Sequence, residues 1–308
     1  MKRLGFMFAG QGAQSVGMGQ DLWAHSPAAR AVFAQADALL ERPLSALCFS
    51  GPASALTASA TCQPAIFTVS MACLAAWRER YPGECSVCAG LSLGEFAALV
   101  AAGVLDFADA LRLVAARGRL MDEACQATEG GMAAVIGAET ALVEDICRQH
   151  GVDVANYNCP GQVVISGARA PLASAVAALG AAGVTRVVSL EVAGAYHSRL
   201  MNPAAAAFGA RLAPLALRAP TCLLAQNVPG ALVADPAAIR ANLQAQVNGS
   251  VRWESCVRAM LAAGAEVLVE LGPGKVLSGF VRRIDRRCAV GAVGSCADLE
   301  AAGSWLGP

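Results

Sequence analysis

Short apolar runs alternate with longer amphipathic stretches in the N-terminal third of the chain. Leu4–Ala9 and Ser86–Gly90 are mostly apolar, which is typical of strands buried on both faces of a parallel sheet. Ala28–Leu40 carries alanine and leucine along one stripe, and Gln63–Arg80 continues a helical pattern until proline and glycine follow it. This alternation predicts an α/β fold with a parallel sheet.

The pattern changes between about residues 129 and 192, where the order becomes strand, helix, strand, strand, helix, strand. This is the order of a ferredoxin-like (βαββαβ) unit. The predicted elements are Met132–Ile136, Thr140–His150, Val152–Asn156, Val163–Ser166, Ala170–Ala182 and Arg186–Leu190. We therefore predict a small subdomain at 128–196, inserted into a large catalytic domain formed by 1–127 and 197–308. Further elements of the large domain are predicted at Asn202–Leu212, Cys222–Ala225, Pro236–Gln246, Trp253–Ala263 and Val267–Glu270.

Composition and charge restrict the partners of the protein. The chain has 308 residues, of which 56% are hydrophobic, and its 23 basic residues balance 23 acidic ones. It therefore offers no bulk positive field for nucleic acid or an anionic membrane. The apolar run after Met1 breaks at Gly10-Gln11-Gly12, too early for an export signal. No uninterrupted apolar span long enough for a transmembrane helix follows, so we predict no membrane association.

The twelve cysteines are scattered through apolar runs such as Leu47-Cys48-Phe49, where a thiol behaves as a small hydrophobic side chain. This distribution favours a reducing compartment, so we expect a cytoplasmic protein. Cys85 and Cys88 have CxxC spacing, but no second pair stands at zinc-binding distance along the sequence. We therefore predict no metal site.

The segment Gly90-Leu91-Ser92-Leu93-Gly94 matches a nucleophile elbow, in which small residues let a tight turn hold a serine hydroxyl above the sheet. The pattern alone is common, but here a predicted strand precedes it and a predicted helix follows it. In that context the backbone amide of Leu93 would lie at a helix N-terminus, where it can stabilise an oxyanion. The segment therefore predicts Ser92 as a nucleophile.

A serine nucleophile needs a base, and the chain contains three histidines. His25 lies in an early helix or loop, and His150 ends a predicted helix, where a cation is favourable for the helix dipole. His197 follows the last strand of the predicted subdomain, in a loop where the two domains should meet. We therefore expect His197 to be the base.

At this point eight blocks of residues make the sequence resemble the malonyl-CoA:acyl-carrier-protein transacylase family over nearly its whole length. The blocks are Phe8–Gln14, Gln63–Ala65, Gly90–Glu95, Arg117–Met121, Gly131–Gly137, Asn156–Gly167, Gly194–Met201 and Gly272–Leu277. The resemblance implies an α/β-hydrolase-like core for the large domain. It also implies the nucleophile and base already chosen from the residues, Ser92 and His197.

Two further roles follow only from the resemblance. Gln246 aligns with the residue whose backbone carbonyl orients the histidine in place of a triad aspartate, so its side chain is expected to matter little. Gln11 is similar to the residue whose backbone amide completes the oxyanion hole with that of Leu93. Without the resemblance, Gln11 would be read as an ordinary turn residue between two glycines.

The resemblance also implies the substrate-binding residues. Arg117 is similar to the arginine that grips the free carboxylate of malonyl with two parallel hydrogen bonds, whereas an arginine on a helix is otherwise usually at the surface. Gln63 belongs to the same set of substrate-binding positions. Tyr196 stands where related enzymes selecting malonyl carry phenylalanine and those selecting a methyl-branched unit carry serine. A bulky ring there is expected to favour malonyl over methylmalonyl.

Two segments depart from the family pattern. Leu91 replaces the usual histidine beside the nucleophile, and Gly249-Ser250 stand where asparagine and proline are frequent. Because His197 remains, we expect Leu91 to alter packing or donor preference without abolishing transfer. A rise of several hundredfold in acyl-enzyme formation by Leu91→His would contradict this expectation.

These residues predict a ping-pong acyltransferase. Ser92 would accept malonyl from malonyl-CoA and pass it to the phosphopantetheine thiol of an acyl carrier protein, for fatty acid or polyketide synthesis. No metal or organic cofactor is expected, and the chain is expected to be a monomer. Three alternatives stay open: the malonyltransferase component of malonate decarboxylase, a serine hydrolase or thioesterase, and a non-catalytic module that docks carrier proteins.

Overall fold

The computed structural model describes residues 2–81, 83 and 85–306, and it is a mixed α/β fold containing two sheets. The strands in this part of the chain are β1 (Leu4–Phe8), β2 (Val87–Gly90), β3 (Gly130–Ile136), β4 (Asp153–Cys159), β5 (Gln162–Ala168), β6 (Arg186–Ser189), β7 (Leu223–Gln226), β8 (Ala231–Leu232), β9 (Val267–Leu271) and β10 (Ala289–Val293). The first sheet contains six of these strands, and the second contains four.

The α-helices surround the first sheet and cover one face of the second. They are α1 (Gln20–His25), α2 (Pro27–Leu40), α3 (Leu44–Ser50), α4 (Ser59–Arg80), α5 (Gly94–Ala101), α6 (Phe107–Ala127), α7 (Thr140–His150), α8 (Arg169–Ala181), α9 (Asn202–Leu212), α10 (Pro236–Gln246), α11 (Trp253–Ala262), α12 (Val276–Ile284) and α13 (Cys296–Leu306).

The first sheet has the order β10-β9-β1-β2-β7-β8, and all of its neighbours pair in parallel except β7 and β8. Its central strands are apolar because helices cover both faces: Phe6 and Phe8 pack towards α4, and Met7 packs towards α11. Phe8 pairs with Gly90, so the carboxyl ends of β1 and β2 lie side by side. The residues that follow these two strands therefore meet at one edge of the sheet.

The second sheet is antiparallel, with the order β4-β5-β3-β6. Helices α7 and α8 pack against one face through a separate apolar cluster that includes Val135, Val143 and Leu179. The sheet is joined to the rest of the molecule where Tyr157 donates its backbone N–H to the carbonyl of Val251 at 2.9 Å. The opposite face of the second sheet forms one wall of a cavity.

Helix α4 is the central helix of the core. By length and hydropathy its 22 residues could cross a membrane, but 83% of its most apolar window is buried inside the fold. The sequence predicted a start near Gln63, whereas the helix begins at Ser59. The carboxylate of Asp122 accepts the backbone N–H groups of Ser59 and Ala60 at 3.0 and 2.8 Å, and it thereby caps the helix from a distant segment.

The parallel sheet and the α/β class predicted from the sequence are confirmed. Thr140–His150, Asn202–Leu212 and Pro236–Gln246 have the bounds that their patterns predicted. Strand β4 begins one residue later than predicted and continues to Cys159, where polar residues interrupt the apolar run. Strand β5 extends by one residue at its start and by two at its end. The bounds of α6, α12 and β10 were not predicted from the sequence.

Candidate active site

Ser92 occupies a strained turn between β2 and α5. Its φ angle is 51°, in the left-handed region that residues with a side chain rarely adopt. A Cβ atom on Gly90 would lie 1.9 Å from the backbone of Gly94, and one on Gly94 would lie 2.1 Å from the carbonyl of Phe8. Both glycines of the motif are therefore required by close backbone approach, as the elbow interpretation expects.

Ser92, His197 and Gln246 form a chain of hydrogen bonds. Ser92 Oγ lies 2.7 Å from His197 Nε2, and His197 Nδ1 lies 2.8 Å from the backbone carbonyl of Gln246. A carbonyl can only accept, so Nδ1 carries the proton and Nε2 has a free lone pair facing the serine hydroxyl. This is the arrangement of a serine with its general base.

Burial keeps His197 neutral. The ring is 5% exposed, and burial together with the positive charge of Arg117 lowers the pKa of His197 to about 4. At neutral pH the imidazole is therefore in the form that accepts a proton. Its φ angle of 56° shows that the backbone is also held in a strained conformation to place the ring.

Arg117 lies in α6 and is only 1% exposed, so the usual surface position of a helical arginine does not apply. Its Nη2 donates to Ser92 Oγ at 3.0 Å and to the side-chain oxygen of Gln246 at 2.9 Å. Its Nη1 donates to Gln63 Oε1 at 2.8 Å. Burial lowers the pKa of Arg117 to about 10, so the guanidinium remains charged at neutral pH.

The side chain of Gln246, which was expected to matter little, takes part in several buried hydrogen bonds. Its amide nitrogen donates to the backbone carbonyl of Ser92 at 2.9 Å and to the carboxylate of Glu95 at 3.2 Å. Its amide oxygen accepts from Arg117. Gln246 thus joins the nucleophile, the arginine and a buried carboxylate, in addition to orienting His197 through its backbone.

Two residues that the sequence did not single out complete the support of the elbow. Asn227 accepts the backbone N–H of Ser92 at 2.7 Å and donates to the carbonyl of Gly90 at 2.8 Å. Glu95 is fully buried, and it accepts from the backbone N–H of Asn227 and the side chain of Gln226, both at 2.9 Å. Burial raises the pKa of Glu95 to about 7. The position of Glu95 next to the GxSxG motif was the available signal.

The two proposed oxyanion donors lie in the turns that follow the neighbouring strands β1 and β2. Gly94, Glu95 and Phe96 use their backbone N–H groups for hydrogen bonds within the elbow. In the described ranges, the N–H groups of Leu93 and Gln11 have no backbone partner. Gln11 lines the same cavity as Ser92. The Leu93 amide directly follows Ser92 in the turn, so stabilisation of an oxyanion by these two amides stays a prediction.

Tyr196 lines the cavity beside Arg117, whereas Gln63 is fully buried behind Arg117 and is not among the lining residues. Gln63 accepts from Arg117 and donates to the side chain of Gln11 at 3.3 Å. The hydroxyl of Tyr196 lies 2.8 Å from the hydroxyl of Ser59, and burial raises the pKa of Tyr196 to about 12. Tyr196 thus presents a fixed, neutral ring next to the base.

These residues meet at a cavity of about 950 Å³ between the two sheets. Ser92, Arg117 and His197 line one side, and Met132 and Val164 of the second sheet line the other. The remaining histidines lie elsewhere: His25 is exposed, and His150 ends α7. Within the described residues, no group of side chains suited to a metal ion lies at this cavity.

Known proteins of one family are similar to this chain over nearly its whole length. Residues 5–293 match the family model of the acyl transferase domain. The malonyl CoA-acyl carrier protein transacylase of Salmonella typhimurium is 41% identical over 306 residues, covering 98% of this chain and 99% of that protein. The chain belongs to the malonyl CoA-acyl carrier protein transacylase family.

Solved structures of the family are closely similar. The acyl-carrier-protein S-malonyltransferase of Burkholderia pseudomallei matches with a TM-score of 0.94 and 37% identity, over 97% of this chain and 99% of that one. A malonyl-transacylase bound to its type II polyketide synthase acyl carrier protein matches with a TM-score of 0.94 and 36% identity, over 97% and 98% of the two chains.

The two departures from the transacylase pattern have local structural accounts. Leu91 lines the cavity, and its side chain packs beside Gly10, where a Cβ would lie 2.6 Å away. Ser250 donates its hydroxyl to the backbone carbonyl of Val154 at 2.6 Å, which joins this segment to the second sheet. The hydrogen bonds of Ser92 with His197, and of His197 with Gln246, are present beside both segments.

Proposed function

We propose that this chain transfers a malonyl group from malonyl-CoA to the phosphopantetheine thiol of an acyl carrier protein, for fatty acid or polyketide synthesis. The observation that carries the proposal is the position of Ser92 Oγ, which is 2.7 Å from a neutral histidine and 3.0 Å from a buried guanidinium. The histidine supports acyl transfer, and the guanidinium supports an acyl group that bears a free carboxylate.

In the first half-reaction, Ser92 Oγ attacks the thioester carbonyl and its proton passes to His197 Nε2. The carbonyl oxygen becomes an oxyanion, which the N–H groups of Gln11 and Leu93 can bind. The intermediate collapses, the carbon–sulfur bond breaks, and His197 returns the proton to the leaving thiolate of coenzyme A. The malonyl group is then held as an ester of Ser92.

The second half-reaction runs the same steps with a different thiol. His197 removes the proton of the phosphopantetheine thiol, whose sulfur attacks the Ser92 ester. The ester bond breaks, and the proton returns to Ser92 Oγ. Because each half-reaction begins and ends with neutral His197, one base serves both directions of transfer.

Arg117 supports malonyl as the acyl group. A malonyl ester has its free carboxylate two carbons from the ester carbonyl, so a carboxylate-binding group must lie within a few ångströms of the nucleophile. Arg117 Nη2 satisfies this distance, and its Nε is buried with no hydrogen-bond partner in the described part of the chain.

The experiment that tests the function is intact-mass analysis of the protein after mixing with malonyl-CoA, followed by addition of an acyl carrier protein. We expect a malonyl adduct that is removed by the phosphopantetheine-bearing carrier and survives with the same carrier lacking the prosthetic thiol. Loss of the adduct to water at the same rate in both cases would support a hydrolase and contradict transfer.

We also infer the finer organisation of the chain. The strand order of the second sheet and its two helices support a ferredoxin-like subdomain at 128–196, inserted into an α/β-hydrolase-like domain of 1–127 and 197–308. Ser92, Arg117, His197 and Gln246 then all belong to the large domain. We propose a monomeric, cytoplasmic enzyme that needs no metal or organic cofactor for transfer, and sedimentation of the purified chain tests its oligomeric state.

A further inference from the structure

Three cysteine thiols converge at the opposite end of β2 from the elbow. Cys222 Sγ lies 3.6 Å from Cys85 Sγ and 3.7 Å from Cys88 Sγ, and all three sulfur atoms lie within 4.8 Å of one another. Cys85 and Cys88 are buried, whereas Cys222 is partly exposed. None of the three is among the residues that line the Ser92 cavity. The cluster therefore has no part in the proposed transfer.

The sheet topology explains why these thiols meet. Strands β2 and β7 are parallel neighbours in which Val87 pairs with Leu223, and the N–H of Leu223 donates to the carbonyl of Ser86. Cys222 thus lies beside Ser86, between Cys85 and Cys88. The sequence prediction of no metal site considered only the local CxxC pair, because nothing in the sequence indicated that a cysteine 134 residues after Cys88 would join it.

We propose that Cys85, Cys88 and Cys222 bind a thiophilic metal ion, with Zn²⁺ as the reference cation. Zinc binds thiolates at about 2.3 Å, so two sulfur ligands of a tetrahedral site are separated by about 3.8 Å. The observed separations of 3.6 and 3.7 Å are close to this value. A disulfide would join only two of the sulfur atoms. Cys222 Sγ is almost equally distant from the other two, which favours a ligand shared by all three.

The electrostatic surroundings fit a cation held by three thiolates. Three thiolates and Zn²⁺ carry a net charge of −1, and the positive charge of Arg78 acts on both Cys85 and Cys222. Arg78 lies near the end of α4 and donates to the backbone carbonyl of Ala101 at 3.3 Å. Each thiol releases its proton to solvent on binding, and the fourth position of the metal opens towards water on the exposed side of Cys222.

Cobalt titration of the full-length chain in a non-thiol reductant tests the site, because thiolate-bound Co²⁺ gives a charge-transfer absorption. We expect saturation at about one equivalent, with loss of the absorption when Zn²⁺ is added. Cys222→Ser should weaken binding at least about tenfold. Cys288→Ser removes a partly exposed cysteine outside the cluster and should bind as the unaltered chain does. Zn²⁺ should raise the Tm of the unaltered chain and of Cys288→Ser, but not that of Cys222→Ser.

Two results would overturn the proposal. One is an absent cobalt absorption, or an absorption that Cys222→Ser leaves unchanged. The other is a disulfide between Cys222 and Cys85 or Cys88 that forms in air while the reduced chain binds no cobalt, which would identify a redox pair. Malonyl transfer is measured on the same samples, and we expect Cys222→Ser to retain it. A failure of the metal-site proposal can therefore be distinguished from a failure of the proposed function.

Discussion

The side-chain amide of Gln246 donates to the carboxylate of Glu95 at 3.2 Å, although 151 residues separate the two along the chain. The same amide nitrogen donates to the carbonyl of Ser92, and the amide oxygen accepts from Arg117. The buried carboxylate of Glu95 is thereby connected to Ser92 and to Arg117. Gln246 acts on Ser92 through its side chain and on His197 through its backbone.

Gln246→Ala keeps the backbone carbonyl that orients His197 but removes these side-chain hydrogen bonds. We expect kcat/KM for malonyl transfer to fall about 10- to 100-fold, which corresponds to the 1–3 kcal/mol cost of unpaired buried partners. Steady-state kinetics with a fixed carrier protein measures this. Gln244→Ala removes an exposed glutamine from the same helix and should change the rate little. Equal rates for the two variants would show that the Gln246 side chain is dispensable.

His197 should make stability depend on pH. Its pKa is about 4 in the folded chain and 6.5 as a free side chain, so between these values the unfolded state binds a proton that the folded state excludes. The contribution of this histidine is therefore complete above pH 6.5 and is lost as the pH falls towards 4, by at most about 1.4 kcal/mol per pH unit.

Urea unfolding at several pH values, compared between the unaltered chain and His197→Gln, isolates this dependence. The variant should lose less stability between pH 6.5 and 4, and its malonyl-enzyme formation should be reduced about 10²- to 10⁴-fold at neutral pH. His25→Gln removes an exposed histidine and should keep the original pH dependence. Parallel stability curves for His197→Gln and the unaltered chain would contradict a buried neutral imidazole.

Arg117→Ala should change the choice of acyl group. Without the guanidinium, the malonyl carboxylate is buried without a partner, so we expect malonyl-enzyme formation to fall at least about 10²-fold relative to acetyl-enzyme formation. The ratio of the two adducts in a competition between malonyl-CoA and acetyl-CoA measures the effect. Arg119→Ala alters an exposed arginine on the same helix and should leave the ratio unchanged. An equal loss of both adducts would remove the carboxylate-binding role.

Tyr196→Ser should admit a branched substrate. The ring of Tyr196 is buried beside His197 and held by Ser59, so replacing it with a small residue creates space near the acyl group. We expect the rate with methylmalonyl-CoA relative to malonyl-CoA to rise about tenfold or more, as pockets discriminate single methyl-sized groups by roughly 10- to 200-fold. Tyr196→Phe keeps the ring and should keep the selectivity. A similar rise in both variants would assign the effect to the lost hydroxyl.

The elements and the nucleophile could be predicted because their signals are local. The Gly90–Gly94 turn carries its own steric reason for two glycines, and His197 was selected from three histidines by its position between two predicted units. The bounds of helices α9 and α10 could also be predicted, because a proline near each N-terminus fixes the start of the helix. Local pattern was sufficient wherever the structural reason lay within a few residues.

The rest depends on contacts between distant segments. Asn227 hydrogen-bonds to the elbow only because β7 lies next to β2. Asp122 caps the first residues of α4 only because α6 packs beside that helix. The three-cysteine cluster arises from the same pairing of β2 with β7. The periodicity of one segment does not show which strands will be neighbours. The roles of Asn227, Asp122 and the three cysteines could therefore be recognised only from the folded structure.

Because the two thiols use the same cavity between the two sheets, the two half-reactions must occur one after the other. Its walls surround Ser92 and His197, so a thiol must occupy this space to reach the ester. Coenzyme A and the carrier's prosthetic arm would have to use the same volume, and each excludes the other while it is bound. Free coenzyme A should therefore compete with the unacylated carrier thiol for the Ser92 ester, so the relative concentrations of the two thiols set the direction of acyl transfer.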